Sequence, residues 1–366
     1  MIFFPASLLA VMSTLSSGDK AVAGGESVLS PRRLRLAIIA GILLLISALP
    51  ASLLWMTAVP GRSYQGTLPR ISPAQAATAA RLKADITIIA RKAHNAAHLR
   101  EMETVASHLE TGLRLAGYAP RRQPIAGVPG TFNIDATLDS NSPAAPTLVI
   151  DGHYDSYDAT PGANDNGSGA ASTLELARML ADLRGTSKLR LRFVLFANEE
   201  PPHFQTDDMG SLVYARSLAA TGEKMIGMIS LETLGYYSDA RGSQQYPFPL
   251  SLLYPDTGNF VAFVGTTGAR GFVRSTVAAF RQQASFPSVG GSAPAFIQGI
   301  DWSDHWAFDK VGVPALMVTD TAPFRYPYYH TQGDTPDRID YVRLARVVNG
   351  LERVLRRWAL DGQLSE

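Results

Sequence analysis

Val149-Ile150-Asp151-Gly152-His153-Tyr154-Asp155-Ser156, together with the turn Gly162-Ala163-Asn164-Asp165-Asn166-Gly167-Ser168-Gly169 that follows it, decides how this 366-residue chain folds. Thr147-Leu148-Val149-Ile150 is apolar without alternation, the pattern of a strand covered on both faces. His153 and Asp155 come just past its carboxyl end, where open α/β sheets place their ligands. Residues two apart on an extended backbone face the same way, so an imidazole and a carboxylate leave the sheet edge together. Asp165 follows in a turn too rich in Gly and Asn for strand or helix interior, and a helical run opens at Ala170. On this stretch alone, a turn whose carboxylates cap the next helix would serve equally well.

Outward from there, strand and helix alternate. Residues 131–138, 147–151, 189–197, 225–231, 261–264 and 315–319 read as strands. Residues 74–91, 96–117, 170–183, 210–221, 271–284 and 340–360 read as helices, and 288–301 as a glycine-rich loop. The alternation predicts a three-layer α/β/α fold with a mainly parallel mixed central sheet. Three strands end in acidic or imidazole side chains: His153, then Glu199-Glu200, then Glu232. Adjacent glutamates at the end of a buried strand are costly unless paired or bound to a cation. In extended backbone they face opposite sides, one free to hold a metal while its neighbour accepts a proton. His94, His98 and His108 have no acidic partners at ligand spacing and read as surface histidines.

Composition narrows the chemistry. Thirty-three basic residues balance 32 acidic ones, so no nucleic-acid footprint is present. With no cysteine, disulfides and thiolate ligands are excluded, and any metal must be held by His, Asp and Glu.

Leu36 to Val59 carries no charge, and its 24 residues span roughly 36 Å as a helix, enough for a hydrocarbon core of about 30 Å. Arg32, Arg33 and Arg35 precede it, which keeps the amino end in the cytoplasm and exports the bulk of the chain. A cleaved signal peptide, cut near Ala48 or Ala51, is the competing reading. The length of the span and of the tail before it favours a retained single-pass transmembrane anchor. The expected organisation is a cytoplasmic tail at 1–35, of which 13–31 reads as disordered, an anchor at 36–59, a linker at 60–73 and a catalytic domain at 74–366 outside the cytoplasm.

His153-Tyr154-Asp155, Gly162 to Gly169, Asn198-Glu199-Glu200, Glu232 in Ser230-Leu231-Glu232-Thr233-Leu234-Gly235, and Tyr329-His330-Thr331 occur in that order. Together they resemble the two-zinc exopeptidase family of aminopeptidase Y, aminopeptidase S and glutamate carboxypeptidase II, over roughly residues 80–360. The resemblance implies two divalent metal ions, zinc in these relatives, bridged by Asp165. His153 and Glu232 would complete one ligand set, Glu200 and His330 the other. It further implies Glu199 as general base, Asp155 as the group orienting His153, and a cis peptide between Asp165 and Asn166. The implied activity is removal of N-terminal residues from peptides. Three other readings stay open: a glutaminyl cyclase-like acyltransferase using one zinc, a non-enzymatic receptor-like homologue, and a carboxypeptidase acting on acidic dipeptides. The last would need arginines near the substrate carboxylate, with Arg325 a candidate. Ser303-Asp304-His305-Trp306 matches a family segment near the substrate pocket, leaving Asp304 a supporting, substrate-contacting or structural residue. Tyr236 and Tyr329 are candidates for lining that pocket, and His203 is a weaker candidate ligand. No feature of the sequence sets the oligomeric state.

Overall fold

The computed structural model describes residues 30–364. The reading of 13–31 as disordered lies outside the described residues except at Ser30 and Pro31, and there Pro31 already opens a helix. The chain groups into two compact units, one through Ser52 and one from Leu53 onward. Helix α1 (Pro31–Thr57) belongs to the first over most of its length. Among the described residues it is the one helix long and apolar enough to cross a membrane.

The second unit is built on one eight-stranded sheet. Its strands are β1 (Arg121–Pro124), β2 (Phe132–Leu138), β3 (Thr147–Asp151), β4 (Arg190–Leu195), β5 (Met225–Glu232), β6 (Val261–Thr266), β7 (Ser288–Ala293) and β8 (Ala315–Thr319). They lie in the order β1-β2-β4-β3-β5-β8-β6-β7. The central four, β4-β3-β5-β8, are mutually parallel, while β2 and β6 run against them. The alternation along each central strand sorts side chains into two cores. Leu148, Ile150, Leu191, Phe193, Leu316 and Val318 pack on one face. That face is covered by α2 (Pro73–Ile89), α3 (Leu99–Leu115), α4 (Gly167–Leu180), α6 (Arg270–Gln283) and α8 (Tyr341–Asp361). Val149, Val194 and Ala315 face the other side, under α5 (Gly210–Ala220) and α7 (His305–Lys310). The three layers follow from this, since a sheet with two apolar faces must bury both.

Two strands and one helix escape the sequence pattern. β1 reads Arg-Arg-Gln-Pro and is largely exposed, so no hydrophobic period marks it. β7 lies in the segment expected to be a loop, at the other edge, and pairs in parallel with β6. Its Gly290 and Gly291 suit a crowded edge, because a Cβ on Gly291 would sit 2.5 Å from the Tyr254 hydroxyl. α7 is six residues long, too short to show a helical period.

The ligand-bearing turn is positioned by close backbone approach. Asn166 caps α4, its Oδ1 accepting from the Gly169 and Thr233 amides while its Nδ2 donates to the Leu231 carbonyl. A Cβ on Gly169 would meet that same carbonyl at 2.0 Å. Only glycine lets α4 start flush against the end of β5, and this sets the separation of Asp165 from Glu232.

Candidate active site

Five side chains converge at the carboxyl edge of β3, β4 and β5. His153 Nε2 lies 3.5 Å from Asp165 Oδ1 and 3.4 Å from Glu232 Oε2. His330 Nε2 lies 3.0 Å from Asp165 Oδ2 and 3.4 Å from Glu200 Oε2. Asp165 thus presents one oxygen to each of two groups, His153–Asp165–Glu232 and Asp165–Glu200–His330, whose donor atoms lie within 4.8 Å of one another. A third group joins His153, Glu199 and Glu200. All but His330 are buried, and its side chain is 26% exposed. The Asp165–Asn166 peptide is cis.

The electrostatics explain why these groups fit divalent cations. Burial drives the Glu199 carboxyl well above its ordinary range, reinforced by neighbouring acids, and takes Glu200 up to about 8 and Glu232 upward. Burial alone would lower both histidines. Glu199 and Glu232 instead pull His153 well above its usual value, and Asp165 and Glu200 take His330 up to about 10. Burial also works to raise Asp165, but the two imidazoles hold it below the ordinary carboxylate range. His153 Nε2, Asp165 Oδ2, Glu200 Oε1 and His330 Nε2 are buried without a hydrogen bond. Orphaned donors of this kind, hard oxygens with imidazoles, match the coordination chemistry of zinc.

The supporting residues are more extensive than the sequence suggested. Asp155 faces His153 Nδ1 at 3.5 Å, and its carbonyl accepts from that nitrogen at 3.1 Å. Its carboxylate also accepts from the amides of Glu199 and Glu200 at 3.3 and 3.1 Å. Glu199 and Glu200 lie in a turn rather than on a continuing strand, since β4 stops at Leu195 and Asn198 has φ +61°. Both carboxylates therefore face the same cluster, which corrects the expectation that they point apart. Asp334 was not singled out in the sequence. Its two oxygens accept from the Asn164 and Asp165 amides at 2.8 and 3.0 Å. A lone Asp four residues past His330 looks like any turn residue. Ser303 donates to Glu232 Oε2 at 2.9 Å. Tyr157 and Tyr329 stack on the two faces of His330, each 3.9 Å from its ring.

Other candidates fall elsewhere. Asp304 is fully buried and is not part of the lining of the pocket beside the acidic cluster. Its carboxyl sits beside that of Asp151, and burial raises both. His94 is buried rather than a surface group, its amide bonded to Ser156, while His108 pairs with Asp85 at 2.9 Å. His203 belongs to none of the three donor groups. Tyr236 packs 4.9 Å from Tyr326. Arg325 is committed to Gln244 and to the Phe260 and Tyr236 carbonyls. Its Nη2 is buried without a hydrogen bond, and Arg325 is not part of that pocket lining either.

Beside the acidic cluster opens a pocket of about 910 Å³, counted with its mouth. Glu232, Thr319 and Tyr329 are part of its lining, and Leu250, Val264, Met317 and Phe324 contribute to apolar walls. Among the described residues Glu232 is the single charged one in the lining. Met56 and Thr57, from the last turn of α1, close one side.

A family model, peptidase family M28, matches residues 133–354. The chain belongs to that family and is a metallopeptidase by class. It is 43% identical to the Escherichia coli K12 protein YfbL over 241 residues, 63% of this chain and 72% of that one. It is 27% identical to a probable leucine aminopeptidase 1 of Trichophyton verrucosum, across 57% of this chain. There the match spans only 53% of the fungal protein. The Legionella pneumophila LapA aminopeptidase superposes with a TM-score of 0.57 at 17% identity, covering 82% of this chain and 77% of that one. At that identity the likeness shows the fold alone.

Proposed function

We propose that the chain is a membrane-anchored aminopeptidase that works with two zinc ions and removes apolar residues from the amino ends of peptides outside the cytoplasm. The observation that carries this reading is Asp165, set between two donor groups and offering one oxygen to each. His153, Asp165 and Glu232 would hold one ion, and Asp165, Glu200 and His330 the other. Bound there, the pair would acidify the attacking water and offset charge growing on the scissile carbonyl oxygen. Glu199 is the base. Its carboxylate faces the cluster 3.7 Å from His153 Nε2 without being needed by either donor group that contains Asp165. It takes the water's proton and later delivers it to the departing amine. Asp155 is a positioning residue, holding the His153 ring and the Glu199–Glu200 backbone together.

Two features favour an aminopeptidase over a carboxypeptidase for acidic dipeptides: the apolar pocket, and the engagement of Arg325 elsewhere. The one-zinc cyclase reading is separated by metal counting, since two donor groups require two ions per chain. Asp165→Asn is expected to lose most bound zinc while keeping the fold, measured by elemental analysis after dialysis and by circular dichroism. Two ions at full occupancy in that variant would refute the bridging role.

Met56 supplies a second test. Shortening a side chain that fills an apolar pocket costs roughly 10-fold or more in discrimination. Met56→Ala is therefore expected to lower kcat/KM for leucine and phenylalanine p-nitroanilides while leaving the alanine substrate nearly unchanged. An equal loss on all three would remove Met56 from the pocket wall.

A further inference from the structure

Large apolar side chains stand exposed on two loops that line the pocket. The loop at 246–253 lines the pocket through Tyr246, Pro247 and Leu250, yet leaves Phe248 82% and Leu252 73% exposed. The loop at 294–302 lines it through Gln298, Ile300 and Trp302, and leaves Phe296 88% exposed. Leu253 and Trp302 add to this surface. A single exposed apolar residue needs no explanation, but a group of them around one opening marks a contact surface.

What covers that surface is indicated by the third element at the opening. Met56 and Thr57 line the pocket from the final turn of α1. Met56 is three residues short of Val59, where the uncharged run ends, a rise of only about 4.5 Å along a helix. Chain connectivity alone therefore keeps this wall of the pocket next to the place where the apolar run of α1 ends. The last turn also carries the chemistry of a lipid headgroup level. The Arg270 guanidinium lies 4.4 Å over the Trp55 ring and donates to the Trp55 carbonyl at 3.1 Å, and Arg274 donates to the Ala58 carbonyl. Tryptophan and arginine at the end of an apolar span are typical of membrane interfaces.

We infer that this rim rests in the interfacial layer of the bilayer that α1 enters, with Phe248, Leu252 and Phe296 set among the upper acyl chains. The pocket then takes peptides whose apolar amino-terminal residue has already partitioned into that layer. The inference rests on the anchored reading of α1 and, for its substrate, on the aminopeptidase reading.

The absence of cysteine makes the test clean. Phe248→Cys, Leu252→Cys and Phe296→Cys are made singly in the full chain. Leu115→Cys serves as control, at a position 85% exposed that lines no part of the pocket. Each is labelled with an environment-sensitive fluorophore and reconstituted into phospholipid nanodiscs with or without doxyl-labelled phosphatidylcholine. The expected result is a blue-shifted emission at 248, 252 and 296 that doxyl lipid quenches severalfold, with no quenching at 115. Emission at all four positions alike, unquenched, would overturn the inference. An intact mass showing α1 removed would overturn it too, at its anchored premise. Chelator-sensitive release of leucine, assayed separately in detergent, isolates the peptidase reading. Quenching without that activity leaves the lipid contact standing and fails the aminopeptidase reading instead.

Discussion

Glu199→Gln is expected to lower kcat by about 10²- to 10⁴-fold, the usual contribution of a positioned general base, with zinc content and KM close to those of the parent. Gln keeps the size of the side chain and its place against His153, but it has no oxygen that accepts and later returns a proton. The two donor groups built on Asp165 do not include Glu199, so the loss is confined to proton transfer. Metal analysis and steady-state kinetics on one preparation separate the effects. A variant that turns over at a near-normal rate removes Glu199 from the chemistry. A variant that loses zinc instead reassigns Glu199 as a ligand, as the third donor group with His153 and Glu200 would allow.

Stripping the metal is expected to make stability fall steeply with rising pH. Glu200 titrates near 4.5 in an unfolded chain but is pushed up to about 8 by burial in the fold. Its contribution to stability is complete below pH 4.5 and is lost as pH rises to about 8. Glu199 and Glu232, also raised by burial, add loss of the same sign. His330, raised from 6.5 to about 10, stabilises below 6.5 and gives that up on the way to 10. Asp165 is displaced downward, so its effect falls at acid pH, outside this window. Moving a pKa by one pH unit between the unfolded and folded states is worth roughly 1.4 kcal/mol, and a domain of this size moves its Tm by roughly 2–4 °C per kcal/mol. The chelated protein is thus expected to melt many degrees lower at pH 9 than at pH 5.5. Restored zinc flattens that slope, because cations take over the neutralisation that protons supply at low pH and because ligands deprotonate on binding. Calorimetry on metal-free and zinc-loaded protein at the two pH values checks this. A metal-free protein equally stable at both would show that the cluster carries no excess buried charge.

The central sheet was legible because β3, β5 and β8 are largely apolar runs and β4 alternates arginine with leucine before turning apolar, so the local pattern agrees with the global packing. The edges were not. β1 and β7 owe their conformation to neighbours rather than to their own sequence, and an exposed Arg-Arg-Gln-Pro carries no period for burial to impose. The same division holds at the site. His153, Asp165, Glu200, Glu232 and His330 are short-range features of strand ends and turns, and the fold brings all five together. Asp334 and Ser303 act on backbone and side chains far away in the chain, so nothing within their own segments shows what they hold. The opposed directions expected for Glu199 and Glu200 fail for a local reason: the left-handed Asn198 ends the extended geometry on which that expectation rested.

Asp334 holds the amides of Asn164 and Asp165 across 170 and 169 residues of chain. A ribosome releasing this polypeptide therefore delivers His153, Asp165, Glu199 and Glu232 long before the carboxylate that fixes the turn between them, and His330 arrives only with that last segment. Until then the growing chain holds acids without the geometry to use them, so the donor groups are completed only after some 170 further residues have followed Asn164.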